Sequence, residues 1–158
     1  MDKRITWKVL AYEKCDECKK AGEKDEYPYN QDLCRLVHTE GFKDIGHPEI
    51  ATVLNVDPAK ITMIFNSMGL EIVEGKRRFD NPDDYEEVVA NGYTVRIVKY
   101  DGDDMLYMFL PDENNKFPGD KGCGEGFKLQ DKYAKAISKI RIRDKEVPSW
   151  EDSIIMPW

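Results

Sequence analysis

Met105-Leu106-Tyr107-Met108-Phe109-Leu110 is an unbroken apolar run that begins just after an Asp101-Gly102 pair. Asp-Gly is a strong hairpin-turn signal, because both residues accept the positive φ that a tight turn needs. Upstream, Tyr93 to Tyr100 alternates as a strand does. A continuous apolar run after such a turn suits a strand buried on both faces. No other stretch of the chain constrains the fold as strongly.

The next constraint is a helix. Asp57-Pro58 is a helix start, since Asp can cap free backbone N–H groups and Pro suits the first helical position. Ile61, Ile64, Phe65, Met68 and Ile72 then recur at helical spacing on one face. Gly75 is a C-terminal stop, and Lys76, Arg77 and Arg78 stand where cations suit the helix dipole. The spacing predicts a principal helix over about 58–74, with Gly69 expected to weaken or break its last turns.

The remaining chain reads more loosely. Ile5 to Tyr12 is an expected strand, and Leu33 to Val37 a short apolar element. Lys14 to Asn30 and Asn114 to Gly126 read as loops, and Asn81 to Glu87 as an acidic connector. Tyr133, Ala136, Ile137 and Ile140 mark a short C-terminal helix. The expectation is one α+β domain over residues 1–158, a mainly antiparallel sheet packed against the principal helix. Residues 1–40 form a candidate zinc-stabilised N-terminal extension, and residues 146–158 a C-terminal tail.

A chain of 158 residues buries about two-thirds of its unfolded surface, so its core needs no disulfides. The net charge of −7 disfavours a general nucleic-acid coat, which runs on clustered Lys and Arg, but leaves room for a local basic patch. No apolar run approaches the roughly 20 residues of a membrane helix. Met1-Asp2-Lys3-Arg4 leads straight into a mixed segment rather than a signal-peptide core, so the expected location is the cytoplasm.

Three of the four cysteines lie before residue 35, which points to a metal or thiol site in a reducing compartment rather than a secreted disulfide framework. Cys15-x2-Cys18, a long loop, and Cys34-x3-His38 is acceptable spacing for tetrahedral zinc. Two thiolates two residues apart can share a knuckle, and a Cys and a His four apart can face one side of a helical turn. A rival use of Cys15 and Cys18 is thiol redox chemistry, with Lys19 and Lys20 placed to lower a thiol pKa.

A third pattern resembles a helix-turn-helix core. Ile50, Ala51, Leu54, Val56, Ile61 and Ile64 fit its spacing, and Lys60, Thr62, Met63 and Asn66 would then face a groove. The β-branched Thr52, Val53 and Val56 favour a strand there instead. Gly46-His47-Pro48 reads as a turn entering a new element; His47 is a candidate general base or a turn-holding histidine, with Glu49 beside it. Asp101, Asp103, Asp104, Asp112 and Glu113 are mainly turn acids, and Lys139, Arg141, Arg143 and Lys145 a solvated basic face. The tail ends in Ile154-Ile155-Met156-Pro157-Trp158, which is expected to pack on its own domain, with Trp158 as a candidate anchor in a partner's groove as the alternative.

Three blocks recur in one order: Gly46-His47-Pro48-Glu49-Ile50, Glu74-Gly75-Lys76-Arg77-Arg78-Phe79, and Leu110-Pro111-Asp112 through Phe117-Pro118-Gly119-Asp120. With Gly92-Tyr93-Thr94-Val95, they resemble the bacterial domain-of-unknown-function family numbered four-two-six-two over about residues 41–130. The chain has Cys34-Arg35-Leu36-Val37-His38 where members carry a Tyr-Thr-Ile-Gly-Leu-like strand, and Gly119 where many carry Trp. The resemblance implies an ordered domain and carries over no catalytic residue. The expected function is a non-enzymatic protein-interaction or regulatory domain with a structural zinc and another protein as partner. The alternatives are a helix-turn-helix-type DNA-binding regulator and an enzyme, either a thiol oxidoreductase at Cys15 and Cys18 or a hydrolase using His47.

Overall fold

Leu106 to Phe109 forms a strand whose side chains alternate between two separate cores, as its unbroken apolar sequence requires. Leu106 and Met108 enter one core, while Tyr107 and Phe109 enter the other. The computed structural model describes residues 3–12, 36–53, 58–88, 94–143 and 154–157. Its strands are β1 (Lys8–Tyr12), β2 (Leu36–Glu40), β3 (Ile50–Thr52), β4 (Asp84–Tyr85), β5 (Val95–Lys99), β6 (Leu106–Phe109) and β7 (Ile154–Pro157). Its helices are α1 (Pro58–Val73), the short α2 (Glu125–Lys128) and α3 (Gln130–Arg143).

Six strands make the body of one sheet in the order β4-β5-β6-β3-β2-β1, and β7 adds at the outer edge of β1. Every neighbouring pair is antiparallel except β3 with β6. Parallel neighbours need a crossover, and the chain between them carries α1 across one face before returning through β4 and β5. The α3 helix covers the opposite face through Tyr133, Ala134 and Ile137. The architecture is α+β, as the sequence implies. Among the described residues no helix is long and apolar enough to cross a membrane.

The apolar stripe of α1, Ile61, Ile64, Phe65, Met68 and Ile72, is buried against the sheet. The helix ends as its sequence dictates. Gly75 takes φ 72°, Gly75 N–H donates to Ile72 O at 3.1 Å and Lys76 N–H to Glu71 O at 2.9 Å, the bond pair of a Schellman stop. Gly69 does not break the helix. The Trp7 indole lies flat against the helix backbone there, so that a Cβ would stand 2.3 Å from Trp7 Cζ2. Trp7 Nε1–H also donates to Asn66 Oδ1 at 2.8 Å. A buried aromatic side chain contributes about 1.5–3 kcal/mol, which outweighs the ~1 kcal/mol that glycine costs a helix.

Three further expectations change. The described parts of residues 1–40 are not an appendage, because β1 and β2 are strands of the main sheet. The segment Asn81 to Glu87 contains β4 rather than only a connector. The C-terminal helix is longer than the apolar spacing marks, running 14 residues from Gln130 to Arg143. Gln130 explains its start: the buried amide accepts from Leu110 N–H at 2.9 Å and donates to Leu110 O at 2.8 Å, pinning the helix to the end of β6. The tail does pack on its own domain, adding β7 to the sheet; Trp158 lies outside the described residues.

Candidate functional site

The Gly46-His47-Pro48-Glu49 block closes a tight turn against the α1 face. A 3-10 turn over Phe42–Ile45 is flanked by Gly41 at φ 115° and Gly46 at φ 76°. The Glu49 carboxylate sits over the start of that turn. Its Oε1 accepts from Thr39 Oγ1 at 2.7 Å and Phe42 N–H at 3.0 Å, and its Oε2 from Gly41 N–H at 3.1 Å and Lys43 N–H at 3.2 Å. It fills the place an anion takes at a helix N-terminus. Thr39 Oγ1 in turn accepts from Ile50 N–H at 3.0 Å.

His47 has both ring nitrogens engaged. Pro48 O can only accept, so Nδ1 donates to it at 2.8 Å; Phe79 N–H can only donate, so Nε2 accepts from it at 3.0 Å. The partners thus fix the neutral Nδ1–H tautomer, and burial holds the pKa below the usual imidazole value. Phe42 and Phe79 pack on the ring edge-to-face at 5.8 and 6.4 Å. With its Nε2 lone pair committed to Phe79, His47 acts in this structure as a tie between segments. Arg78 Nη2 reinforces the tie, donating to Gly46 O at 2.6 Å and to Asp80 Oδ2 at 2.7 Å.

A second polar cluster lies under α3. The register sets Leu10, His38, Ala51, Tyr107 and Val98 in one row across β1, β2, β3, β6 and β5. Small Ala51 separates His38 from Tyr107. The carboxylate of Asp103, whose side chain is 2% exposed, gathers the elements around it. Oδ1 accepts from Met105 N–H at 3.0 Å, and Oδ2 from Tyr107 Oη and Ser138 Oγ, each at 2.8 Å. Arg141 Nη1 donates to Asp103 Oδ1, and its Nη2 lies 3.6 Å from Asp104 Oδ1. Burial pushes the Asp103 carboxyl up, but the Met105 N–H and the Arg141 charge outweigh it and hold the pKa below the usual carboxylate value. Burial and the same carboxylate push the Tyr107 phenol far up.

His38 donates from Nδ1 to Thr39 O at 2.7 Å. Burial lowers its pKa, and the charge of Arg141 acts the same way. Tyr100 lies beside the row, its ring 5.4 Å from Tyr107, and donates to Asp131 Oδ1 at 2.6 Å. The cluster can hold charge, orient a proton and dock a helix. Sequence reasoning missed Asp103, Tyr107, Ser138 and Arg141 as one group. One signal was present: Tyr107 carries the hydroxyl in an otherwise apolar run, and a buried phenol needs a partner. Arg141 is no solvated residue; its side chain is 16% exposed.

The other candidates separate. Cys15, Cys18 and Cys34 lie outside the described residues. His38 is on a strand rather than in the expected helical turn. Among the described residues no group of three or more His, Cys, Asp or Glu is placed to hold a metal ion. The helix-turn-helix pattern needs a helix through Ile50 and Ala51, where the chain forms β3. Of its proposed groove face, Lys60 is exposed and Met63 is 70% exposed, but Thr62 Oγ1 donates to Pro58 O at 2.8 Å and Asn66 accepts from Trp7. Asp112 accepts from the backbone N–H groups of Asn114, Lys116 and Gly124 at 2.7–2.9 Å. Those bonds, Lys116 foremost, hold its carboxyl below the usual range and order the loop. The Cys123 thiol is pushed up by burial and by Asp112, away from the reactive thiolate.

Compared with family models, with curated proteins and with solved structures, the chain matches none.

Proposed function

We propose that this chain is a protein-interaction domain without chemistry of its own, and that its receptive surface is the outer edge of β1. The observation that carries the reading is β7. This segment, remote in sequence, pairs antiparallel with β1, setting Leu10 opposite Pro157, Ala11 opposite Met156 and Tyr12 opposite Ile154. A sheet edge offers backbone N–H and C=O groups, and peptides are recognised by adding to it as a strand. The β7 pairing is imperfect: its register shifts between Ala11 and Tyr12, and Pro157 has no N–H to donate. Such a strand exchanges more readily than the interior ladders. Further support is that His47, Glu49, Asp103 and Asp112 all bond to neighbouring parts of the fold.

The test adds an unlabelled peptide of residues 151–158 to isotope-labelled full-length protein and to its Met156→Pro variant, whose own strand pairs poorly. Amide shifts along Lys8–Tyr12, stronger in the variant, are expected. No shift in either protein removes the reading, and shifts confined to α1 transfer the interface to the helix bearing Met63.

Likeness to the family numbered four-two-six-two belongs to the same proposal. Its support is that the first two blocks meet in space, through His47 with Phe79 N–H and Arg78 with Gly46 O. A structural zinc on Cys15, Cys18, Cys34 and His38 belongs to it as well. Tyr12 pairs with Leu36, so the connection between β1 and β2 leaves and returns about 5 Å apart, which favours a clamp near its base. His38 carries its proton on Nδ1 and would ligate through Nε2, as second-shell carbonyls commonly arrange. Four residues of strand span about 14 Å, so it joins Cys34 on one ion only where the chain turns back ahead of Leu36. Elemental analysis, with thiols counted before and after chelation, decides this part: below one zinc per three cysteine ligands it fails.

A further inference from the structure

The tie made by His47 has a property that a purely structural residue would lack. Its two partners demand opposite roles from the two nitrogens. Pro48 O needs a donor at Nδ1 and Phe79 N–H needs an acceptor at Nε2. A second proton can enter only at Nε2, where it meets the N–H of Phe79 head-on. We propose that His47 is an acid-operated latch: protonation of Nε2 releases Phe79 and parts the Gly46–Glu49 turn from the segment that follows α1.

The surroundings favour opening of this contact rather than compensation within it. From the turn, Glu49 faces the ring, but four donors already occupy its carboxylate. From the segment after α1, Asp80 and Arg78 face it; Asp80 is held by Arg78, whose charge opposes an imidazolium. Across the Phe79 ring lie Arg77, 5.1 Å from the centroid and paired with Glu71, and Tyr85, whose ring centroid is 5.1 Å away. The 3-10 turn contributes Phe42, which has no charge to offer. Among the described residues no neighbour offers an uncommitted carboxylate to receive the new N–H. Phe79 is fully buried, so its release exposes apolar surface.

The proposal concerns a local event, separate from the β1 edge, and its test is residue-resolved. Amide exchange is followed at pH 7.5 and pH 5 in full-length protein and in His47→Gln, whose Oε1 can accept from Phe79 without titrating. Protection of the Phe79 amide, corrected for the intrinsic pH dependence of exchange, is expected to fall about tenfold or more in the native protein while β6 amides keep theirs. In His47→Gln it is expected to stay constant. Should that variant not fold, imidazole 15N shifts of the native protein serve instead, with Nε2 protonation coinciding with loss of Phe79 protection. Equal protection at both pH values, or loss at Phe79 and β6 together, overturns the latch.

Discussion

The two faces of the sheet hold their polar groups in different ways. On the α1 face, His47 and Glu49 bond chiefly to the backbone: Pro48 O, Phe79 N–H, and the amides of Gly41, Phe42 and Lys43. On the α3 face, Asp103 bonds chiefly to other side chains: Tyr107, Ser138 and Arg141. Backbone-directed groups fix the path of the chain, whereas the side-chain cluster fixes how one helix docks. The first should tolerate substitution by relaxing a turn. The second contains a buried Asp–Arg pair, in which losing one member removes the nearest counter-charge of the other.

The largest effect should therefore come from Asp103→Ala. Removing one member of a buried ion pair costs about 3–5 kcal/mol, because the other charge stays buried. Urea unfolding measures it, and Asp103→Ala with Arg141→Met should recover most of the loss. If the single variant costs no more than a surface pair, the contrast between the two faces collapses. Gly69→Ala comes next, on the α1 face. Helix propensity favours alanine by about 1 kcal/mol, but the Trp7 ring stands inside contact distance, and overpacking costs about 1–3 kcal/mol. A net loss in thermal melting is expected, and a gain would show that Trp7 can move aside cheaply.

Glu49→Ala removes an N-terminal cap from the turn and should cost about 1–2 kcal/mol, less than Asp103→Ala, by the same urea measurement. The smallest effect is expected from mild acid. His38 and His47 are both held neutral in the folded protein, below the ordinary imidazole pKa of about 6.5. The unfolded chain therefore binds more protons below that pH, so stability is full above pH ~6.5 and falls as pH drops through it. Asp103 is held low, so its contribution persists above its ordinary pKa of about 3.9 and is lost only below. Denaturation midpoints across pH 8 to 3 should fall in two separated stages. His47→Gln should shrink the first to the share of His38, and a single stage at pH ~4 would place all acid sensitivity in carboxylates.

Much of the α1 side was legible in the chain itself. Pro58, the apolar stripe from Ile61 to Ile72 and the Gly75 stop are local signals, and a helix follows them. The His47 turn was legible as a turn because Gly-His-Pro restricts its own backbone. Its partner Phe79, 32 residues away, was not. Gly69 misled because propensity describes an isolated helix, and the indole that needs the gap comes from Trp7. Lys60, Thr62, Met63 and Asn66 share a helix as expected, but Asn66 turns to Trp7, and the helix that should precede α1 is a strand. The Asp103 cluster left almost no trace, since Arg141 lies 38 residues from its partner inside a basic run that reads as solvated.

The sequence alone determined the Asp101-Gly102 hairpin, the doubly buried β6, and the extent and buried face of α1. Each rests on periodicity or turn chemistry within a few residues. Only the tertiary structure decided that β3 runs beside β6, that β1 and β2 join the main sheet, and that His38, Tyr107, Asp103 and Arg141 share one face. Strand order and helix docking bring together groups far apart in the chain, and no local propensity encodes which of them will meet.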